Sequence, residues 1–412
     1  MMELCKTNIG KYIHVLVDIG SNGSDEQISK NLNMKDEPDY AYIIRTLNLN
    51  NNDFENNIKY IDEKSYNFFA KSKMYGGEVI INKIGCPGTI GLMPFLDKPI
   101  SLGLNQYAIR FNNEVDQLYM YYNLKNIEPY LQSLAHGTTT KTLTKDDIKG
   151  ATIYIHNLPT QKIISKYLSN IDKVINNYKK IIKNLNNIIN LYYVQYMENF
   201  SFETTKKYDS VLNREIPENW TNCKISNLVK ILSGYPFKTT DYVDNGNYKL
   251  YTIKNVQDGK IITKVDNYVN KIKNVPDYCF LKKGDLLLSL TGNVGRCAIV
   301  FEQNALLNQR VGLIKPINNN DRGFIYALFN SDRIKTTLLN IATGTSQKNL
   351  SPVNTENVDI CIPDGITLIK IGTFLNVLYD QITQLNFEVD KLENYKNYIF
   401  PKLMRGQIKI GD

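Results

Sequence analysis

The sequence predicts an α+β protein: two mixed α/β domains in a pseudo-twofold tandem repeat, joined by two long helices that pair as a coiled coil. Three observations lead there. A block near residues 76–200 recurs near residues 283–405, about 207 positions later, which is half the chain length. Each copy carries short strand-like runs punctuated by glycine. Each copy then closes on a long stretch whose apolar residues repeat every seven positions. A period of this length is not a solenoid unit, which spans about 20–50 residues.

Matching strings carry the repeat. GGEVIINKIGCPG from Gly76 answers KGDLLLSLTGNVG from Lys283, and HGTTTKTL from His136 answers TGTSQKNL from Thr343. A Leu-Asn-Gln triplet lies in each copy, at Leu104–Gln106 and Leu307–Gln309. In the first copy, strands are expected at Tyr40–Arg45, Glu78–Lys83, Gln106–Phe111 and Thr152–His156, and a helix at Tyr119–Tyr130. In the second copy, strands are expected at Lys249–Ile253, Asp285–Leu290, Cys297–Phe301 and Val311–Ile314, and a helix at Tyr326–Ala342.

From about Pro159 the apolar period changes to that of a helix. Ile164, Ile171, Tyr178, Leu185 and Tyr192 are spaced by seven, and so are Leu168, Ile175, Ile182, Ile189 and Tyr196. This is an a/d seam, and residues 164–196 span roughly 48 Å at 1.5 Å per residue. The second seam holds Ile371, Leu378, Leu385, Leu392 and Ile399, with Leu375, Ile382, Val389 and Leu403 on the companion positions and Lys396 as its one exception. The seams are in phase at 207 residues, so they are expected to pack on one another rather than each on its own domain. The chain divides accordingly: residues 1–158, first domain; 159–200, first spacer helix; 201–213, a polar linker; 214–364, second domain; 365–405, second spacer helix.

Composition bounds the function. The chain has 412 residues, 42% of them hydrophobic, which suits folded domains rather than disorder. The net charge of +8 leans toward polyanions, although a bias to Asn, Ile, Lys and Tyr gives the same charge without function. None of the six cysteines forms a CxxC pair or neighbours a histidine at ligand spacing, which excludes a zinc pattern and points to free thiols in a reducing cytoplasm. No apolar stretch is long enough to span a membrane.

Catalytic strings are missing. There is no GxxxxGK[ST] loop, no GxSxG elbow, no HExxH helix, and no Asn- or Asp-Pro-Pro-aromatic string of an amino-methyltransferase. The histidines His14, His136 and His156 are scattered and read as surface or core. One near-miss is Pro38-Asp39 followed by Asp62-Glu63-Lys64, the spaced acids and lysine of a metal-dependent nuclease. It is short, common by chance, and has no counterpart 207 residues later.

A binding apparatus remains. Thr291–Arg296 puts Asn293 and Arg296 among small residues that permit close approach. Thr343–Asn349 offers Ser346, Gln347, Lys348 and Asn349, and His136–Lys141 offers Thr138, Thr139, Thr140 and Lys141. Tyr235, Phe237 and Lys238, after Gly234, would add an aromatic and basic tip. Arg, Gln and Asn can pair with base edges, while Lys, Ser and Thr hold phosphates. Each loop alone is equally well a solvated turn; two of one kind at matching positions favour binding.

Over nearly its whole length the chain resembles the specificity subunit of type I restriction-modification systems. In the second half the resemblance rests on IPENW, KGDLLLSLTGNVGR, LLNQRVGLIKP, GTSQKNLS leading into VDICIP, and a closing helix ending FPKLMRG; in the first half, on GGEVIINKIG, LNQYAIR, HGTTTKTL and the helix ending LYYVQYMENFSF. It implies two target recognition domains joined by antiparallel helices, each domain reading one half of a split, asymmetric double-stranded DNA target while the helices measure the gap. It implies no catalysis, cofactor or metal in this chain. Two modification subunits would methylate adenine with S-adenosylmethionine, and restriction subunits would translocate and cut with ATP and Mg²⁺, all in the cytoplasm. Two features depart from the pattern: nothing like IPENW precedes CKTNIGKY, so a shortened or diverged start is expected, and Pro87 stands where the second copy has Val294. The rival readings are a fused restriction enzyme or methyltransferase carrying its own recognition domains, and a coiled-coil scaffold that binds proteins.

Overall fold

The computed structural model describes residues 4–201, 203, 205–270, 274–408 and 410. The chain forms two compact units, residues 1–173 with 393–412, and residues 174–392. The first long helix, Leu158–Tyr193, and the second, Gly365–Met404, each contribute to both units.

In the first unit Val79–Asn82 forms because a β-branched run favours a strand, and it shows no polar alternation because every residue in it is buried. It pairs antiparallel with Ile90–Leu92 and Gln106–Phe111, and the latter with Ile13–Val17, making a four-stranded sheet. A second four-stranded sheet is built around Ala41–Ile44 and Ile100–Leu102, which run parallel.

The second unit repeats this plan. Leu286–Ser289 pairs antiparallel with Cys297–Ile299 and Val311–Pro316, and the latter with Val229–Ser233. A five-stranded sheet holds the parallel pair Tyr248–Tyr251 and Ala305–Leu307. Cys5–Asn8 on Thr152–Ile155 matches Thr221–Lys224 on Asp359–Ile362. The CKTN segment is therefore the counterpart of the strand that follows IPENW in the second copy.

The two long helices start alike. Asn157 accepts from the Thr160 amide at 3.0 Å, and Asp364, 207 residues later, accepts from the Ile366 and Thr367 amides at 3.1 Å. Their seams are covered throughout: Ile164, Leu168, Ile175, Leu185, Ile189, Ile371, Leu375, Leu378, Ile382, Val389, Ile399 and Leu403 are buried, and Ile171, Ile182, Leu385 and Leu392 are half-buried. In the first unit Ile164 and Leu168 share a core with Ile399 and Leu403; in the second, Leu185 and Ile189 share one with Ile371, Leu375, Leu378 and Ile382. Rising numbers on one helix meet falling numbers on the other, so the coiled coil is antiparallel. Gly323 lets the helix Arg322–Asn330 meet the second long helix backbone to backbone; a Cβ there would lie 2.4 Å from the Leu375 carbonyl carbon.

Three expectations need correcting. The polar stretch read as a linker contains a strand: Lys206–Asp209 pairs with Arg214–Pro217 across a turn in which Asn213 adopts φ +48°, a conformation Asn tolerates. The helix expected over Tyr326–Ala342 is two helices, Arg322–Asn330 and Asp332–Ile341. Ser331 leaves helical geometry and caps the second by accepting from the Ile334 amide. Likewise Tyr119–Tyr130 is divided between Gln117–Asn126 and Glu128–Leu134, because Pro129 suits the first turn of a new helix.

Candidate nucleic-acid interface

In the second domain the chain brings two of the sequence-predicted loops together. Thr343 and Asn349 bridge each other and close a seven-residue loop, with Gly344 at φ +101°. Asn349 also bridges Thr291, and the Gly292 amide donates to the Lys348 carbonyl at 2.9 Å. The hairpin turn TGNVGR and the loop TGTSQKN therefore lie side by side. Ser346, Gln347, Lys348 and Asn349 are all exposed, as is Asn293. The Lys348 ammonium rests on the Leu339 carbonyl at the end of the helix Asp332–Ile341, a contact that solvent or a phosphate can replace.

The first domain builds the same pair. His136 and Thr142 bridge each other around Gly137 at φ +130°, which presents exposed Thr138, Thr139, Thr140 and Lys141. The Leu143 amide donates to the Lys83 carbonyl at 3.0 Å, as the Leu350 amide does to Leu290 at 2.8 Å, which seats the loop beside the turn 83–89. In that turn Gly88 has φ +83°, and a Cβ on it would lie 2.9 Å from the Gln132 amide, so both conformation and space require glycine. Nearby, Asp18 takes Lys145 at 2.8 Å and Lys83 at 3.6 Å. Burial works to raise the Asp18 pKa, but hydrogen bonds from Lys145 and Ser21 and the charge of Lys83 outweigh it and hold the carboxyl below its ordinary range.

Three of the predicted residues stand elsewhere. Phe237 is a core residue, buried with Leu250, Val269 and Leu306, and Tyr235 packs edge-on against it at 4.9 Å. Burying two large rings outweighs presenting them at a tip, so of that triplet only Lys238 is exposed. Arg296 is half-buried and held by Gln257 and by Asp258, the latter at 3.8 Å. Sequence reasoning overlooked Gln309 and Arg310, which are exposed where the Leu290 amide meets the Arg310 carbonyl at 3.1 Å. The LNQR string was the available signal. The Lys83 amide meets the Asn105 carbonyl at 2.7 Å in the same way, so Asn105 is the counterpart of Arg310, and the two Leu-Asn-Gln triplets sit two residues out of step.

The acidic near-miss is structural. Asp39 is paired with Lys35, and Asp62 caps the helix Glu63–Phe68 by accepting from the Ser65 amide at 2.8 Å. Among the described residues no group of three or more His, Cys, Asp or Glu gathers as metal ligands, and no helix is long and apolar enough to cross a membrane.

Two copies of the type I restriction modification DNA specificity domain match the chain, over residues 16–187 and 217–394. The chain belongs to that family. Each specificity domain spans one set of paired loops and most of one long helix. Among relatives, the chain is 29% identical over 329 residues to the type I restriction enzyme MjaVIII specificity subunit of Methanocaldococcus jannaschii, covering 77% of this chain and 76% of that one. It is 24% identical over 312 residues to the MjaIX specificity subunit of the same organism, covering 72% and 70%. The fold is shared with the crystal structure of a type I restriction-modification system S subunit from M. genitalium, at TM-score 0.63 and 16% identity over 98% of this chain and 96% of that one.

Proposed function

We propose that this specificity-family chain reads DNA for a type I restriction-modification complex and does no chemistry itself. Each domain reads one half of a bipartite, asymmetric target, and the helix pair sets the unspecified gap. The observation that carries this reading is the same exposed pair of loops, closed by the same bridge, at equivalent positions in two domains that differ elsewhere. Lys141 and Lys348 hold phosphates, which are the same in any sequence; Thr138, Thr139, Thr140, Asn293, Ser346, Gln347, Asn349 and Lys238 complete the interface. Asn105 and Arg310 occupy equivalent exposed positions with different side chains, as heads reading different half-sites require.

Partners supply the chemistry: two modification subunits with S-adenosylmethionine, and restriction subunits with ATP and Mg²⁺, in the cytoplasm. The first long helix supports such docking. Val174, Ile181 and Ile188, spaced by seven on its outer side, are exposed, an apolar stripe suited to a partner's helix.

Inserting four residues into both long helices adds roughly 6 Å of rise. Methylation mapping in cells carrying the insertion and the modification subunits is expected to show both half-sites unchanged and the gap lengthened by one or two base pairs. An unaltered gap overturns the ruler. Methyl transfer or cutting by the purified chain alone overturns the non-catalytic reading.

A further inference from the structure

Lys396 is the one charged member of an otherwise apolar seam, and its counterpart 207 residues earlier is Ile189. In the first unit Lys396 closes a salt bridge onto Asp172 of the first long helix, with the two side chains 24% and 28% exposed. The other Asp172 oxygen accepts from the Tyr122 hydroxyl at 2.6 Å, and the Lys396 ammonium lies 5.7 Å from the centre of the Tyr122 ring. Tyr122 belongs to the helix Gln117–Asn126 of the first domain. Burial and the Asp172 charge push its phenol far above the ordinary value, so it remains a proton donor. The cluster thus joins both long helices to the domain they cross.

In the second unit the counterparts of Asp172 and Lys396 are Tyr379 and Ile189, at 0% and 2% exposure, and Tyr379 packs edge-on against Tyr326 of the helix Arg322–Asn330 at 5.7 Å. A second polar pair follows the same rule. The Tyr167 and Tyr395 hydroxyls meet at 2.6 Å, and their counterparts are Phe374 and Ile188. Duplication has kept these positions and changed their chemistry in one unit.

Apolar seams tolerate more than one register, because a leucine one heptad away packs nearly as well. A hydrogen-bonded charge pair is satisfied in one register only, and a slip strands two partly buried charges. We propose that Tyr122, Asp172 and Lys396 are positioning residues that lock the register of the helix pair against the first domain, so that the gap between half-sites has a single value. This rests on the ruler reading above.

The test uses the full chain co-expressed with its modification subunits, and reads the gap from methylation maps. Lys396→Asp is expected to yield methylated sites with a second gap length, and Asp172→Lys with Lys396→Asp to restore the single wild-type gap. The triple variant Tyr122→Phe, Asp172→Tyr, Lys396→Ile removes the hydrogen-bonded charge pair and puts at the two long-helix positions the residue types of Tyr379 and Ile189 in the second unit. It is expected to melt like the wild type and still spread the gap. One unchanged gap in Lys396→Asp and in the triple variant, at any melting temperature, overturns the lock, as does a charge-swapped pair that fails to restore the gap. Loss of all methylation in both variants also overturns it, because a lock alters spacing and not recognition. The four-residue insertion, run alongside, separates the two ideas: if it shifts the gap and Lys396→Asp does not, the ruler stands and the lock falls.

Discussion

His156 is 2% exposed, with Nδ1 at 2.9 Å from the Tyr119 hydroxyl and Nε2 buried without a partner. Burial disfavours the imidazolium and lowers its pKa. A depressed folded pKa means that the unfolded chain binds the proton first. The stability from neutral His156 is therefore present above the unfolded value of about 6.5 and is lost as pH falls below it. Denaturant midpoints should drop more steeply from pH 7 to pH 5 in the wild type than in His156→Gln; equal slopes refute this. The residue scale is also where sequence reading was weakest. Phe237 and Lys238 look alike as loop residues, and only the packing around Leu250 and Leu306 separates a core ring from an exposed amine. For Arg310, the residue just before the strand Val311–Pro316, the LNQR string signals binding chemistry but carries no local signature of exposure.

The long helices were the most legible elements, since a seven-residue period over five repeats has few other solutions, and both helices begin on side-chain caps. The breaks were harder to read. Ser331 and Pro129 each divide a continuous apolar run through backbone preferences that a periodicity count does not weigh, and the Lys206–Asp209 hairpin is too polar to register as a strand. At this scale the helix pair is the stability-bearing feature of the second unit. Leu375 is fully buried where Gly323 brings two helices together. Leu375→Ala should cost about 2–5 kcal/mol, the range for emptying a well-packed site, and lower the melting temperature by several degrees. A variant that melts with the wild type would mean the seam bears no load there.

For the whole molecule, duplication predicts how binding responds to salt. The repeated loops place one lysine each, Lys141 and Lys348, in equivalent settings. Replacing either with alanine should lower the slope of log affinity against log salt by about 0.9, one phosphate contact. The methylated sequence should stay the same, because backbone contacts carry no base information. A changed motif would make these lysines base readers. The order of repeated strings made the architecture and family legible from sequence. The pairing of hairpin turn with loop was not, because it depends on the bridge between Thr291 and Asn349, residues 58 positions apart. One asymmetry between the copies offers a practical handle. Trp220, the chain's single tryptophan, lies 1% exposed against Phe200 in the second unit, and Leu4 holds the equivalent place ahead of the matching strand. Indole fluorescence therefore reports on one half of the molecule, while circular dichroism reports on both. A mismatch between the two melting curves would show directly that the halves unfold as separate cooperative bodies.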